Sequence, residues 1–275
     1  MKDELLIHVT RPRFRISWES PRHLVLSGGF NSLFKDYAPI GHFTVELKSS
    51  RKNKFGINHV ITGMERKSKK ESRQIVVRER LGLGSLNYSF RGALTAADQS
   101  YEDLLASKAE NRLRTLIIPL DPNSSEKLFY FLEKWIEHGS YTVYGGCKDA
   151  LHGEGAGCAD FAMTFFELAI GYQLEDWCVN LEVPQIYLGR KDKPVSLFNL
   201  LTASHWDHPG SKLRLKTADT NLAYDWLERR SPHSLEYTYV GDSQKSVLPK
   251  QIPEFQFKYQ TDQDEKSIWE SIRFL

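Results

Sequence analysis

The arrangement of apolar and polar residues predicts several β-strands in the first half of the chain. In residues 40–47, apolar side chains alternate with polar ones, which places His42 and Glu46 on the same face of one strand. Runs rich in β-branched and aromatic residues predict further strands at residues 23–26, 57–62, 74–77 and 114–120. Two consecutive predicted strands therefore each carry a histidine, His42 and His59.

The helical period of apolar residues predicts two well-defined helices in the middle of the chain. The first begins at Pro122, with Asp121 as the capping residue, and Gly139 ends it. Its apolar positions are Leu128, Phe129, Leu132, Trp135 and Ile136. The second helix, residues 158–170, follows a glycine-rich loop and ends at Gly171, and its broad apolar surface predicts that it is buried.

Weaker patterns complete the expected organisation. Helices are predicted at residues 101–113, 195–201, 222–229 and 265–272, and strands at residues 183–188, 236–240 and 255–259. Because strands and helices are segregated along the chain instead of alternating regularly, the pattern favours an α+β fold over a doubly wound sheet.

The composition is that of a folded protein. A chain of 275 residues with 40% hydrophobic and 26% charged residues forms one large domain or two small ones. No stretch reaches the roughly 18 consecutive apolar residues of a membrane span, and the first 20 residues lack the features of an export signal. We therefore expect no transmembrane segment and, by default, a cytoplasmic location, which leaves open an exported form whose signal has been removed.

The charge is unevenly distributed. Residues 48–80 contain eleven Lys/Arg and three Asp/Glu, a net charge of +8, which leaves −6 on the rest of a chain whose total is +2. Such a segment is typical of a solvated loop or hairpin, or of a surface that attracts an anionic lipid or polymer. Nucleic acid is not the expected partner, because no recognised nucleic-acid-binding motif accompanies the basic residues.

The position of Cys158 is typical of a nucleophile. Unpaired backbone N–H groups and the positive end of the helix dipole favour a thiolate at the first turn of a helix, and the same N–H groups can receive an oxyanion. The structural alternative is a small buried apolar residue, which is the usual role of a free cysteine. A catalytic thiol also needs an imidazole to take its proton and a polar group to orient that imidazole.

The order of these motifs resembles the circularly permuted branch of the NlpC-type papain-like superfamily, which includes the lecithin retinol acyltransferase group and the YiiX-like bacterial hydrolases. The matching segments are residues 40–45 (I-G-H-F-T-V), 58–60 (N-H-V), 131–144 and 157–162 (G-C-A-D-F-A), within a region of about residues 22–175. The resemblance implies a papain-like α+β domain at residues 21–190, with the nucleophile helix packed on an antiparallel sheet. It leaves residues 1–20 as an N-terminal segment and residues 191–275 as an α+β extension on or over the groove.

The resemblance implies a role for each of three residues. Cys158 would be the nucleophile, His42 the general base and then acid, and His59 the group that orients His42. Glu46 is an alternative to His59, because it shares a strand face with His42. Many members have asparagine before the cysteine, where this chain has Gly157.

The expected activity is that of a cysteine hydrolase or acyltransferase that forms a thioester. In the family, acyl donors include peptide bonds of cell-wall peptides and lipid esters, and the basic segment is compatible with an anionic donor. The chemistry requires no cofactor or metal. A non-catalytic binding protein on the same frame is the alternative.

Two further sets of residues are weaker candidates. Cys147 also follows glycines but opens no apolar helix, and Cys178 beside a tryptophan is typical of a core residue. The run at 204–210 (S-H-W-D-H-P-G) contains His205, Asp207 and His208, part of a zinc-binding pattern, so a metal-dependent hydrolase is a further alternative.

Overall fold

The computed structural model describes residues 2–33, 40–68, 79–146, 148–189 and 192–239. The described strands are β1 (Glu4–Thr10), β2 (His42–Lys48), β3 (His59–Thr62), β4 (Met64–Arg66), β5 (Phe90–Leu94), β6 (Leu113–Pro119), β7 (Val143–Tyr144), β8 (Cys178–Pro184), β9 (Lys212–Ala218) and β10 (Glu236–Thr238). The described α-helices are α1 (Pro21–Leu33), α2 (Ala97–Ala109), α3 (Pro122–Glu137), α4 (Cys158–Ile170), α5 (Leu197–Thr202) and α6 (Thr220–Arg230).

The fold is mixed α+β, with sheets that are mainly antiparallel. The largest sheet has five strands in the order β10-β6-β1-β2-β3, in which only the β10–β6 pair is parallel. A three-stranded sheet, β4-β5-β7, and a two-stranded sheet, β8-β9, complete the described strands. Because β4 follows β3 after one residue, the three-stranded sheet continues directly from the edge of the large one.

The main core lies between one face of the large sheet and helices α3, α4 and α6. Phe43, Val45 and Leu47 of β2 are at most 2% exposed and belong to the same cluster as apolar residues of these three helices. Burying an apolar side chain of this size contributes about 1.5–3 kcal/mol relative to leaving it in water. This face therefore fixes the position of α4, which carries Cys158, relative to β2, which carries His42.

Several elements match the sequence prediction. The β2 and β3 strands and the α3 and α4 helices form where they are predicted, and the apolar positions named for α3 are all buried. The Asp121 carboxylate accepts hydrogen bonds from the backbone N–H groups of Asn123 and Ser124, as a capping residue does. Gly171 ends α4 in the left-handed conformation, with a φ of +82°. Predictions at residues 74–77, 255–259 and 265–272 lie outside the described residues.

The strand predicted at residues 23–26 is wrong, because these residues form part of α1. Ser20 and Pro21 begin this helix, with the Ser20 hydroxyl accepting a hydrogen bond from the backbone N–H of His23. This is the same type of start signal as Asp121 and Pro122, and the short apolar run concealed it.

Residues on both sides of the expected boundaries at 20 and 190 contribute to the same sheet and the same core. Residues 4–10, in the expected N-terminal segment, form β1, the central strand of the large sheet. On the other side of the second boundary, α6 contributes Ala223, Tyr224 and Leu227 to the main core, and β10 pairs with β6. Long-range pairing of this kind leaves little local signal, so the boundaries could not be inferred from composition.

None of the helices in the described part of the chain has the length and apolar character needed to span a lipid bilayer.

Candidate active site

Helix α4 places Cys158 in its first turn. Gly157 precedes the helix, and its backbone N–H donates to the Asp160 carboxylate at 3.3 Å. The first backbone hydrogen bond of the helix runs from the N–H of Phe161 to the carbonyl of Gly157, so the N–H groups before Phe161 have no partner within the helix. Cys158 is 7% exposed and lies at the positive end of the helix dipole.

The glycine-rich loop brings β7 against this helix start. Gly155 has a φ of +101°, and a Cβ at this position would lie 2.4 Å from the carbonyl oxygen of Val143. The next residue, Ala156, donates its N–H to the same carbonyl at 3.1 Å. Only glycine permits this close approach. As a result Tyr144 lies beside Cys158, with its hydroxyl 3.9 Å from Sγ.

Two glycines allow close packing around His42 and the start of its strand. Gly41 has a φ of +83°, and a Cβ there would lie 2.1 Å from Oγ1 of Thr220, whose hydroxyl donates to the carbonyl of Ile40. Gly63 is the single residue between β3 and β4, and a Cβ there would lie 3.0 Å from Nε2 of His42. The imidazole therefore lies against the bare backbone of Gly63, at the end of β2.

His42 and Cys158 form a hydrogen-bonded pair. Burial alone would raise the pKa of the Cys158 thiol, but the charge of His42 and hydrogen bonds from His42, from the backbone N–H of Phe43 and from Tyr144 outweigh burial and lower it. Burial alone would likewise lower the pKa of His42, but the charge of Cys158 and the hydrogen bond to it raise it. These opposite directions favour a thiolate paired with an imidazolium.

Tyr144 remains a neutral phenol in this site. Burial raises its pKa, and the negative charge of Cys158 raises it further. Its hydroxyl accepts a hydrogen bond from the backbone N–H of Cys158 and donates one to Sγ. A single phenol thus contacts both the thiol and the N–H group that an oxyanion would use.

Two carboxylates act on His42 through their charge. Asp103 of α2 and Glu65 of β4 both raise the pKa of His42. Asp103 is half-buried, and its carboxylate accepts a hydrogen bond from Gln99 at 2.9 Å. Both negative charges favour the protonated form of His42.

The structure does not bring His59 or Glu46 to His42. His59 pairs with Lys48, six residues along β2 from His42, which corresponds to about 20 Å at the usual rise of a strand. Glu46 is four residues from His42, about 13 Å by the same rise. The expectation that either residue orients His42 is therefore corrected: strand faces repeat every two residues, and sharing a face does not imply contact.

His59 and Glu46 instead belong to a separate polar cluster. The two carboxylate oxygens of Glu46 bond Nε2 of His8 at 2.9 Å and Nε2 of His59 at 2.8 Å, and Lys48 lies 3.1 Å from the carboxylate. These hydrogen bonds and the neighbouring charges overcome the effect of burial and hold the pKa of Glu46 well below its ordinary value. The cluster lies on the face of the sheet opposite Phe43, Val45 and Leu47.

The other candidate residues are not part of the pair. Cys178 is half-buried, burial raises the pKa of its thiol, and Sγ lies 3.6 Å from the carbonyl oxygen of Leu174. Cys147 lies outside the described residues.

The S-H-W-D-H-P-G run has ordinary surface contacts. Nδ1 of His208 donates to the carbonyl of Pro209, and the Asp207 carboxylate lies 3.3 Å from the ammonium of Lys212. Across the described ranges, no group of three or more His, Cys, Asp or Glu side chains is placed to hold a metal ion. The structure therefore offers no support for the metal alternative at His205, Asp207 and His208.

Four residues of the site, Tyr144, Gly63, Asp103 and Glu65, were not predicted from the sequence. Tyr144 lies at the end of a segment that carries the family resemblance, but nothing in its local pattern indicated contact with Cys158. Gly63, Asp103 and Glu65 had no signal in the sequence, because their significance depends on which segments lie beside His42. Comparisons of the chain with models of protein families, with curated proteins and with solved structures gave no match.

Proposed function

We propose that the protein is a cysteine-dependent hydrolase or acyltransferase on a papain-like frame, with Cys158 as the nucleophile and His42 as the general base and acid. The observation that carries the proposal is the hydrogen-bonded pair of a thiol with a lowered pKa and an imidazole with a raised pKa at the start of a buried helix. Surface or core cysteines have no reason to show this combination, whereas thiol nucleophiles require it.

The reaction would proceed by acyl transfer through sulfur. The Cys158 thiolate attacks the acyl carbon, a C–S bond forms, and the carbonyl oxygen takes up the negative charge. His42 then donates its proton to the leaving group as the bond to that group breaks. Water or another acceptor, deprotonated by His42, attacks the thioester and releases the thiolate.

Tyr144 and the start of α4 supply the stabilisation of the oxyanion. The backbone N–H of Cys158 is bonded to the Tyr144 hydroxyl, so the two groups lie next to each other. In the tetrahedral intermediate, the N–H and the phenol O–H can both donate to the oxyanion. Donors that are held in place before the reaction are a major source of rate acceleration in such sites.

The test is competition between the thiols for a small neutral alkylating agent. Accessibility predicts that half-buried Cys178 reacts faster than Cys158, which is 7% exposed. The proposal predicts the reverse order, because Cys158 has a lowered pKa and Cys178 a raised one. Iodoacetamide labelling at pH 7, with the modified residue mapped by mass spectrometry, measures both rates in one sample.

The variants Cys158→Ala and Cys178→Ala serve as matched controls for the assignment. We expect fast labelling to disappear in the first variant and to persist in the second. If Cys178 reacts as fast as Cys158 in the unmodified chain, the nucleophile assignment fails, and a non-catalytic binding protein becomes the better interpretation.

A further inference from the structure

The three-stranded sheet presents an aromatic surface with one cation beside the candidate nucleophile. Arg66 of β4 lies opposite Gly92 of β5, and Phe90 of β5 lies opposite Tyr144 of β7. Side chains of directly opposed residues, and of residues two apart on a strand, lie on one face of a sheet. The guanidinium of Arg66, Phe90 and Tyr144 therefore share one face, which we call the Arg66 surface.

The guanidinium lies over two aromatic rings of this surface. Its carbon lies 4.2 Å from the centre of the Phe90 ring and 5.4 Å from the centre of the Tyr144 ring. Gly92 has no side chain to keep the guanidinium away from the rings, and Phe90 is 3% exposed. Stacking uses the faces of a guanidinium and leaves its N–H edge available for hydrogen bonding.

No acidic partner neutralises this cation among the residues that the structure describes. Arg66 has aromatic contacts there but neither an ion pair nor a side-chain hydrogen bond. By contrast, the basic residues Arg51 and Lys54 of the same charged segment are paired with Glu126 and Glu137 of α3. Half-buried Arg66 therefore keeps the N–H edge that other basic side chains use for ion pairs.

Arg66 lies close to the sulfur of Cys158, with only Tyr144 between them. Tyr144 contacts the guanidinium through its ring and Sγ of Cys158 through its hydroxyl, so one phenol separates the cation from the nucleophile. The positive charge also acts on Tyr144, where it partly opposes the effect of burial on the phenol pKa. A group bound to Arg66 would thus lie a few bonds from an acyl carbon in contact with Sγ.

We propose that Arg66 binds a carboxylate of the acyl substrate, so that the enzyme selects acyl donors with a negative group a few bonds from the scissile carbonyl. This inference rests on the proposed function. A guanidinium binds a carboxylate through two parallel N–H···O bonds. One unpaired guanidinium matches a single negative charge better than a phosphate monoester, which carries about −1.5 to −2.

The experiment compares alkylating agents that differ only in charge. Iodoacetyl derivatives of glycine, β-alanine and γ-aminobutyrate place a carboxylate at increasing distance from the reacting carbon, and the three carboxamides are neutral partners. In each case a C–S bond forms at Cys158, the C–I bond breaks, and iodide leaves. The ratio of the carboxylate rate to the carboxamide rate, at constant ionic strength, measures recognition of the negative group.

Arg66→Gln is the test variant, and Arg91→Gln is the matched control. Arg91 lies on the same sheet, next to Phe90, so its side chain points to the opposite face, and its replacement removes the same charge from a nearby position. We expect the rate ratio at the best spacer length to fall by about tenfold in Arg66→Gln, as for loss of a charge-assisted hydrogen bond. In Arg91→Gln it should change by less than about twofold, because exposed charges at this distance are screened.

The outcomes distinguish failure of this inference from failure of the proposed function on which it rests. If Cys158 reacts rapidly but both variants change the ratio equally, or neither changes it, Arg66 is a packing residue and the inference is overturned. If Cys158 reacts with neither series in the unmodified chain, the proposed function itself fails. Because the ratio compares two rates within one sample, it is insensitive to partial loss of folded protein. Arg66→Lys keeps the charge but not the planar guanidinium, so it should retain only part of the preference for the carboxylate reagents.

Discussion

Replacement of His42 by alanine tests the proposed thiolate–imidazolium pair most directly. The substitution removes both the positive charge and the hydrogen bond that lower the pKa of Cys158, and it leaves the burial that raises it. An opposite charge in contact typically changes the ionisation equilibrium of its neighbour by one to three orders of magnitude. The thiolate fraction, and with it the rate of alkylation at pH 7, should therefore fall by about 10- to 1,000-fold in His42→Ala.

The pH dependence of the alkylation rate shows in which direction His42 changes the pKa of Cys158. In the unmodified chain, the alkylation rate should reach its plateau below the ordinary thiol pKa of 9.0, because the pKa of Cys158 is lowered. In His42→Ala the rate should still be rising above pH 9, because only burial and the weaker hydrogen bonds remain. Turnover of an acyl substrate should in addition decline at high pH, as His42 loses its proton above its raised pKa.

His59→Gln is the control for this experiment. The amide can still donate a hydrogen bond to Glu46, and the site lies about 20 Å from His42 by strand geometry. We expect the alkylation profile of Cys158 to be unchanged. Equal shifts in the two histidine variants, or no shift in His42→Ala, would refute the assignment of His42 as the partner of the thiol.

Three other substitutions test Tyr144, the separate Glu46 cluster and the glycine before His42. Tyr144→Phe removes the hydroxyl that contacts Cys158. It should lower the rate of acyl-enzyme formation from p-nitrophenyl acetate by about 100-fold, as for loss of an oxyanion donor. The stopped-flow burst measures this rate, and an unchanged rate would exclude Tyr144 from the reaction. Glu46→Gln should lower the free energy of unfolding at pH 7 by about 3 kcal/mol, because it leaves a half-buried cluster of basic groups without its carboxylate. The pKa of Glu46 is lowered in the folded state, so its contribution to the free energy of unfolding is complete above the ordinary value of 4.5 and is lost as the pH falls further. Urea unfolding should therefore show a smaller stability difference between Glu46→Gln and the unmodified chain in acid. A difference that grows in acid would contradict this reasoning. Gly41→Ala should lower the free energy of unfolding by about 2–4 kcal/mol in the same assay, because a Cβ at a φ of +83° would lie 2.1 Å from Oγ1 of Thr220; wild-type stability would show that the strand shifts without cost.

Features that depend on neighbouring residues were predictable from the sequence. The caps at Asp121 and Gly171, the apolar period of α3 and α4, and the alternation in β2 all act within a few residues, so their structures follow from local preferences. The same short-range logic failed for α1, where an apolar run next to two glycines is compatible with either a strand or a helix.

The candidate site was predictable only in part. The position of Cys158 at a helix start is a local property, and His42 became a candidate through its strand and through the family resemblance. The orienting role expected of His59 depended on tertiary structure, because a strand face does not show which residues along it lie in contact. The register of β2 and β3 pairs His59 with Lys48, about 20 Å along β2 from His42.

The amino-acid sequence by itself therefore determined the helices α3 and α4, the strands β2 and β3, the α+β class and the presence of a thiol in a helix's first turn. Tertiary structure alone decided that residues 4–10 form the central strand, that Tyr144 and Gly63 border the histidine–cysteine pair, and that Glu46 is occupied elsewhere. The physical reason is that these contacts join residues far apart in the chain, and their free energy comes from burial and hydrogen bonding that exist only once the sheet has been assembled.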